Sequence, residues 1–217
     1  MIWKRLFGAG ERGDGGAARW IVIDTETTGL DVARDALLAV GGVAVGPDGV
    51  RPDDSFEVLL RNEAGSSHEN IVVHGIGRQA QAGGVPVEEA MRAFAAWAGD
   101  APAAGFHVPF DRAVLARAAR AAGVALPDRP WLDLAPLAAA LTPPDPKKPP
   151  PGLDDWLALY GIDCAVRHHA AGDALATAEL LLRLRALARR EGARDFAGLV
   201  RLAKHQRWLS VAPGGAP

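Results

Sequence analysis

The segment that most constrains this chain is Trp20-Ile21-Val22-Ile23-Asp24-Thr25-Glu26-Thr27-Thr28-Gly29-Leu30, a short apolar run that stops abruptly at two carboxylates. The apolar half reads as a buried strand and the Thr-Thr-Gly that follows as a turn. Side chains two apart in a strand point to one face, so Asp24 and Glu26 lie side by side where the strand leaves the core. Two anions held that close repel one another unless a cation sits between them. An all-oxygen donor set, without His or Cys, suits a hard ion such as Mg²⁺ or Mn²⁺. The same pattern also has an everyday use, with one acid capping a turn or helix. The metal reading therefore rests on acids elsewhere in the chain.

At 217 residues, 49% of them hydrophobic, the chain suits one domain of ordinary size with a full core and some tail. The opening Met1-Ile2-Trp3-Lys4-Arg5-Leu6-Phe7 gives way at once to Gly8-Ala9-Gly10-Glu11, without the apolar stretch of a signal peptide. No apolar run approaches the roughly 20 residues that span a bilayer. Cys164 is the single cysteine, which excludes an intrachain disulfide and argues against a cysteine-based metal cluster. A cytoplasmic enzyme without membrane association is the expectation. The net charge of −2 argues against a protein that coats nucleic acid by charge alone. It leaves a nucleic-acid enzyme open, because local patches suffice and bound metal ions supply positive charge.

Along the chain, residues 1–18 read as a flexible Gly-rich leader, residues 19–190 as one domain, and residues 191–217 as a C-terminal helix and tail. Ile21–Asp24, Leu37–Val45 and Ser55–Leu60 read as three strands of an antiparallel meander, with a turn at Pro47-Asp48-Gly49. Pro86–Trp97 has helical spacing, with Val87, Met91, Phe94 and Trp97 on one face. Ala101–Phe106 is a fourth strand, Arg112–Ala122 a helix ending at Gly123, and Trp131–Leu134 a fifth strand. The proline-rich stretch Thr142–Pro151 is an exposed, stiff loop. Gly152–Tyr160, Ala170–Arg190 and Phe196–Trp208 read as helices. Strands first, then alternating helices and strands, indicate an α/β domain with a mixed sheet.

Three further features bear on the metal reading. Asp111 follows a strand in Phe106-His107-Val108-Pro109-Phe110-Asp111 and begins a helix, where an acid also complements the helix dipole. Asp173 opens the long helix in Arg167-His168-His169-Ala170-Ala171-Gly172-Asp173-Ala174, among small residues that let a helix approach a sheet closely. His168 stands five residues before that acid, far enough to face a water rather than a metal. His168 and His169 also read, more plainly, as two solvated loop histidines. Val73-His74-Gly75-Ile76 forms a His-Gly turn before a helix.

In that order, Asp24-x-Glu26, Asp111 and His168-x-x-x-x-Asp173 resemble the DEDDh (DnaQ-like) group of 3′-5′ exonucleases, which includes the proofreading epsilon subunit of bacterial DNA polymerase III, ribonuclease T and oligoribonuclease. Asp24 to Leu30 matches the first motif throughout, Phe110-Asp111 the second, and Arg167-His168 to Asp173-Ala174 the third. Two departures stand out: Phe106-His107 replaces the usual His-Asn of the second motif, and Gly77 replaces the Thr that often follows His-Gly-Ile. His169 occupies the slot where a sister group carries Tyr, which makes His168 the choice of base and His169 the lesser alternative.

The resemblance implies a ribonuclease H-like fold, a five-stranded mixed sheet flanked by helices. It implies two divalent ions, Mg²⁺ or Mn²⁺, with Asp24 bridging them, Glu26 and Asp173 completing one site and Asp111 serving the other. His168 is then the general base, and Thr25, Thr27, Leu30, His74 and His107 are candidate substrate contacts, Leu30 as a wedge beneath the last base. Arg78, Arg112, Lys147 and Lys148 are candidates to follow the strand backbone. The expected activity is 3′-5′ hydrolysis of single-stranded DNA ends to nucleoside 5′-monophosphates, in proofreading or repair. RNA trimming is the alternative, and a catalytically silent nucleic-acid-binding module is disfavoured because all five motif positions are intact. A ribonuclease H-type endonuclease shares the carboxylates but not the His-x-x-x-x-Asp ending. Partners reach as far as a single-stranded 3′ end and a DNA polymerase subunit, with a monomer and a homodimer both open.

Overall fold

The computed structural model describes residues 19–211, so the expected leader, residues 1–18, lies outside the described residues. Five strands, β1 (Trp20–Thr27), β2 (Leu37–Gly46), β3 (Gly49–Leu59), β4 (Ala103–Gly105) and β5 (Trp131–Asp133), form one sheet in the order β3-β2-β1-β4-β5. β3, β2 and β1 are antiparallel neighbours, whereas β4 and β5 run parallel to β1. This is the mixed five-stranded sheet that the sequence leads one to expect. Among the described residues eight helices accompany it: α1 (His68–His74), α2 (Arg78–Ala82), α3 (Val87–Ala98), α4 (Val108–Ala121), α5 (Leu134–Leu141), α6 (Leu153–Tyr160), α7 (Ala170–Ala188) and α8 (Phe196–Val211).

The alternation along β1 divides the core. Trp20 and Val22 face one side, where they pack with Leu180, Leu181 and Leu184 of α7 and with side chains of α5, α6 and α8. Ile21 and Ile23 face the other side, against Met91 and Phe94 of α3 and Val114 and Leu115 of α4. Continuing that alternation, Asp24 and Glu26 leave the sheet on the α7 side and Thr25 on the α4 side. α8 folds back onto the domain, burying Phe196, Leu199 and Ala203.

Several sequence expectations change. β3 begins at Gly49 rather than Ser55, and β4 and β5 are each limited to three residues, because Phe106 leads into α4 and Leu134 already belongs to α5. α4 begins at Val108, so Asp111 sits in its first turn. Val87 is not on the buried face of α3: it is the first helical residue and remains exposed, while Ala90, Met91, Phe94 and Ala98 carry the contact and Trp97 is half-buried. α1, α2 and α5 have no bounds in the sequence pattern, which marks only a helix after the His-Gly turn. The first two span 7 and 5 residues, too short for helical periodicity to show. α5, Leu-Ala-Pro-Leu-Ala-Ala-Ala-Leu, is apolar nearly all round and carries Pro136, which a first turn tolerates. Its start is set by Asp133, whose carboxylate accepts the Ala135 N–H at 3.2 Å.

Candidate metal-dependent active site

Asp24, Glu26 and Asp173 each offer a carboxylate oxygen within 4.8 Å of the other two. Two come from the emerging end of β1 and the third from the first turn of α7. Their meeting depends on a residue with no side chain. Gly41 of β2 pairs with Asp24, and a Cβ built on it would lie 2.1 Å from the carbonyl carbon of Ala170. The start of α7 therefore rests directly on the sheet beside Asp24, an approach that only glycine at this position permits.

Asp111 approaches from the opposite face. It is buried, and its Oδ1 accepts the Thr25 hydroxyl at 2.7 Å, which ties the first turn of α4 to β1 between the two acids of the first motif. Asp111 lies outside the three-carboxylate group but near enough for its charge to raise the pKa of Asp24. Asp133 is close as well. Besides capping α5 it accepts the His107 N–H at 3.1 Å, and its charge adds to the pressure on Asp111.

The electrostatics show that these acids are crowded. Burial above all, and then Asp111, Asp173 and Glu26, hold the Asp24 carboxyl well above the usual carboxylate range. Burial followed by the charge of Asp173 pushes Glu26 up to about 7. Burial raises Asp111 to about 7 against the opposing hydrogen bond from Thr25. Carboxylates that resist ionisation together become stable anions once divalent charge is placed among them. The donor set is all oxygen and matches a hard divalent ion, so the residues fit the metal that the motifs imply.

Around this centre, the segment before α7 is held by Asp173 itself. The His168 N–H donates to Asp173 Oδ2 at 3.0 Å, and the guanidinium of Arg167 donates to Oδ1. His168 takes a left-handed backbone conformation, φ 58°, and is exposed to solvent. His107, at φ 61°, is the other non-glycine residue in that region among the described residues, and both sit in the motif loops. Strained backbone of this kind tends to concentrate at functional sites. The His169 ring instead reaches Glu57 of β3, Nε2 to Oε1 at 3.1 Å.

The remaining candidates lie at varied distances from the chemistry. The Thr27 hydroxyl donates to the Gly29 carbonyl at 2.6 Å, bracing the turn that presents Leu30. Leu30 is 89% exposed, so core packing is not its role. The turn is further fixed by Asp35, which accepts the Thr28 hydroxyl and the Asp31 N–H at 3.1 and 2.7 Å. His74 is buried at the end of α1; its Nδ1 accepts the Ile76 N–H at 3.0 Å, and its Nε2 meets no protein partner. Sequence reasoning missed Arg167, Asp154 and Asp133 as members of this neighbourhood. Arg167 could have been suspected from its place beside His168, whereas nothing in the sequence marks Asp154 or Asp133.

A ribonuclease H-like sheet with acids gathered at the end of its central strand defines a nuclease class. The chain belongs to the RNase T exonuclease family, whose pattern it matches over residues 21–181. Among curated proteins it is similar to the PolC-type DNA polymerase III of Latilactobacillus sakei, with 28% identity over 179 residues, covering 77% of this chain and 11% of that protein. The PolC-type enzyme of Thermotoga maritima is 25% identical over 198 residues, covering 91% of this chain and 14% of that protein. The chain thus spans 11–14% of the length of these relatives. In fold it resembles Escherichia coli exonuclease I in complex with a dT13 oligonucleotide, at TM-score 0.69 and 17% identity, covering 80% of this chain and 42% of that one. It also resembles exonuclease X in complex with 5′-overhanging duplex DNA, at TM-score 0.64 and 19% identity, covering 85% of this chain and 99% of that one.

Proposed function

We propose that this chain is a metal-dependent 3′-5′ exonuclease that removes nucleoside 5′-monophosphates from single-stranded DNA ends, in proofreading or repair. The observation that carries the reading is the convergence of Asp24, Glu26 and Asp173 within 4.8 Å, with buried Asp111 tied to the same strand through Thr25. Membership of an exonuclease family and likeness to nucleases solved in complex with DNA support it. The PolC-type relatives support a polymerase setting.

Asp24, Glu26, Asp111 and Asp173 would hold two divalent ions, which supply charge stabilisation to both the attacking and leaving oxygens of an in-line displacement. The rest of the work belongs to the chain. His168, exposed to solvent and anchored to Asp173 by its own N–H, takes the proton of the attacking water at its imidazole nitrogen. His169 is the weaker choice because it is engaged with Glu57. Leu30, presented on a braced turn and open to solvent, stacks beneath the terminal base. The backbone of Thr25 and Glu26 orients the 3′-terminal sugar. His74, buried with its Nε2 closed off from solvent, holds the His-Gly turn rather than the substrate, and Lys147 and Lys148 draw in the phosphate backbone. No helix of the described residues is long and apolar enough to cross a membrane.

The test is release of mononucleotides from single-stranded DNA and RNA oligomers with Mg²⁺, Mn²⁺ or chelator, with Asp24→Ala as control. Metal-dependent release of mononucleotides that is lost in Asp24→Ala supports the proposal. Absence of cleavage with both ions refutes it.

A further inference from the structure

Arg167 joins two carboxylates of very different exposure. Its guanidinium binds Oδ1 of Asp173, one of the two oxygens of a carboxylate whose side chain is only 6% exposed. The other oxygen already accepts the His168 N–H, so both edges of Asp173 are engaged. The loop carrying Arg167 is pressed onto α7 at Gly172, where a Cβ would lie 2.5 Å from the Val166 carbonyl oxygen. A second anchor, Asp154 of α6, is 69% exposed and binds the same guanidinium through Nε. The planar fork of arginine serves two carboxylates at once and keeps one when it gives up the other.

We propose that Arg167 is a displaceable counter-cation of the metal site: it occupies the Asp173 oxygen that a divalent ion would ligate, and ion binding releases it from Asp173 while Asp154 keeps its hold. The inference rests on the metal-site reading above. Arg167 is a positioning residue in this scheme, acting on the ion through Asp173.

The test is calorimetric titration of Mn²⁺ and Mg²⁺ into the purified full chain, as wild type, Arg167→Gln and Arg167→Lys. Removing a positive charge that competes for a ligand oxygen tightens binding, so Arg167→Gln is expected to bind Mn²⁺ about tenfold more tightly. Its metal-free form should melt earlier, because the crowded acids lose their internal cation. Arg167→Lys, which keeps the charge, should stay closer to wild type than Arg167→Gln does. Arg167→Gln binding as wild type or more weakly overturns the inference. A measurement on the wild type alone guards against a variant that fails to fold: the guanidinium ¹⁵N resonances of Arg167 should move during a Mg²⁺ titration with the midpoint seen by calorimetry. Unmoved resonances beside a normal heat of binding overturn the inference while leaving the metal site standing. Absence of ion binding in wild type and Arg167→Gln alike contradicts both.

Discussion

Gly41→Ala probes the geometry of the site without touching any of its acids. A Cβ at this position would lie 2.1 Å from the Ala170 carbonyl carbon and 2.3 Å from both the Ala170 oxygen and the Ala171 nitrogen. These are backbone atoms and cannot turn aside as a side chain would. Carbon atoms rest about 3.5–4.0 Å apart, so the start of α7 must withdraw by on the order of 1.5 Å or the sheet must bend away. Asp173 moves with it, since its N–H is bonded to the His169 carbonyl in the same turn. Overpacking of this kind costs about 1–3 kcal/mol, and in a domain of this size each kcal/mol lowers the melting temperature by about 2–4 °C. The functional loss should be larger, because a displacement of about 1 Å at a reacting centre costs about 100-fold in rate. Gly46→Ala on the same strand is the control: its nearest neighbour would be the Arg51 side chain at 3.5 Å, an ordinary contact. Thermal unfolding with and without Mn²⁺, beside mononucleotide release, reads both effects. The reasoning is refuted if folded Gly41→Ala turns over and responds to metal as Gly46→Ala does.

Asp24→Asn should abolish turnover and metal-linked stabilisation while raising the melting temperature of the metal-free protein, because one member of a repelling group is neutralised; calorimetry in chelator and in Mn²⁺ checks this. Glu26 and Asp111 bind their protons more tightly folded than unfolded, each with its pKa raised to about 7. Native protein therefore holds more protons than unfolded chain from the ordinary carboxylate range up to about pH 7, and metal-free stability should fall as pH rises through that window. Saturating Mn²⁺ should flatten the decline, as a melting series across pH would show, whereas a metal-free stability that rises over the same range contradicts the crowding. His168→Ala should reduce turnover by about 10²–10⁴-fold with little change in metal affinity, and His169→Ala should leave it nearly intact; equal losses would reject His168 as the base. Leu30→Ala, at an exposed position, should change stability by no more than about 0.5 kcal/mol yet raise KM for single-stranded ends. An unchanged KM removes Leu30 from the substrate site.

Much of this architecture was legible because the chemistry at the site follows simple periodicities. The two-residue repeat of β1 placed Asp24 and Glu26 on one face, and the small residues around Asp173 announced a helix lying close to a sheet. The first three strands and the long α7 were visible from apolar runs and turn residues. α1 and α2 were not, because 7 and 5 residues define no face; α1 is fixed instead by the Ser67 cap and by Gly75 in a left-handed conformation. α5 escaped because an apolar segment has no amphipathic signature, and its boundary depends on Asp133, a residue that serves strand, cap and loop at once. Val87 was misjudged because position in the first turn, not spacing, decided its exposure. The role of Arg167 was hidden for a different reason. Its partner Asp154 belongs to a helix separated from it by the loop before α7, and only the folded chain brings the two to the same carboxylate cluster.

In the proposed function, four carboxylates on β1, α4 and α7 direct hydrolysis from a 3′ end. The most direct test is digestion of a 5′-labelled single-stranded DNA in Mg²⁺ or Mn²⁺, followed over time, with the released products identified by mass spectrometry. The expected result is a ladder shortening one nucleotide at a time with the label retained, and nucleoside 5′-monophosphates as the product. Early loss of the label as a mononucleotide, or fragments arising from internal cuts, would contradict it.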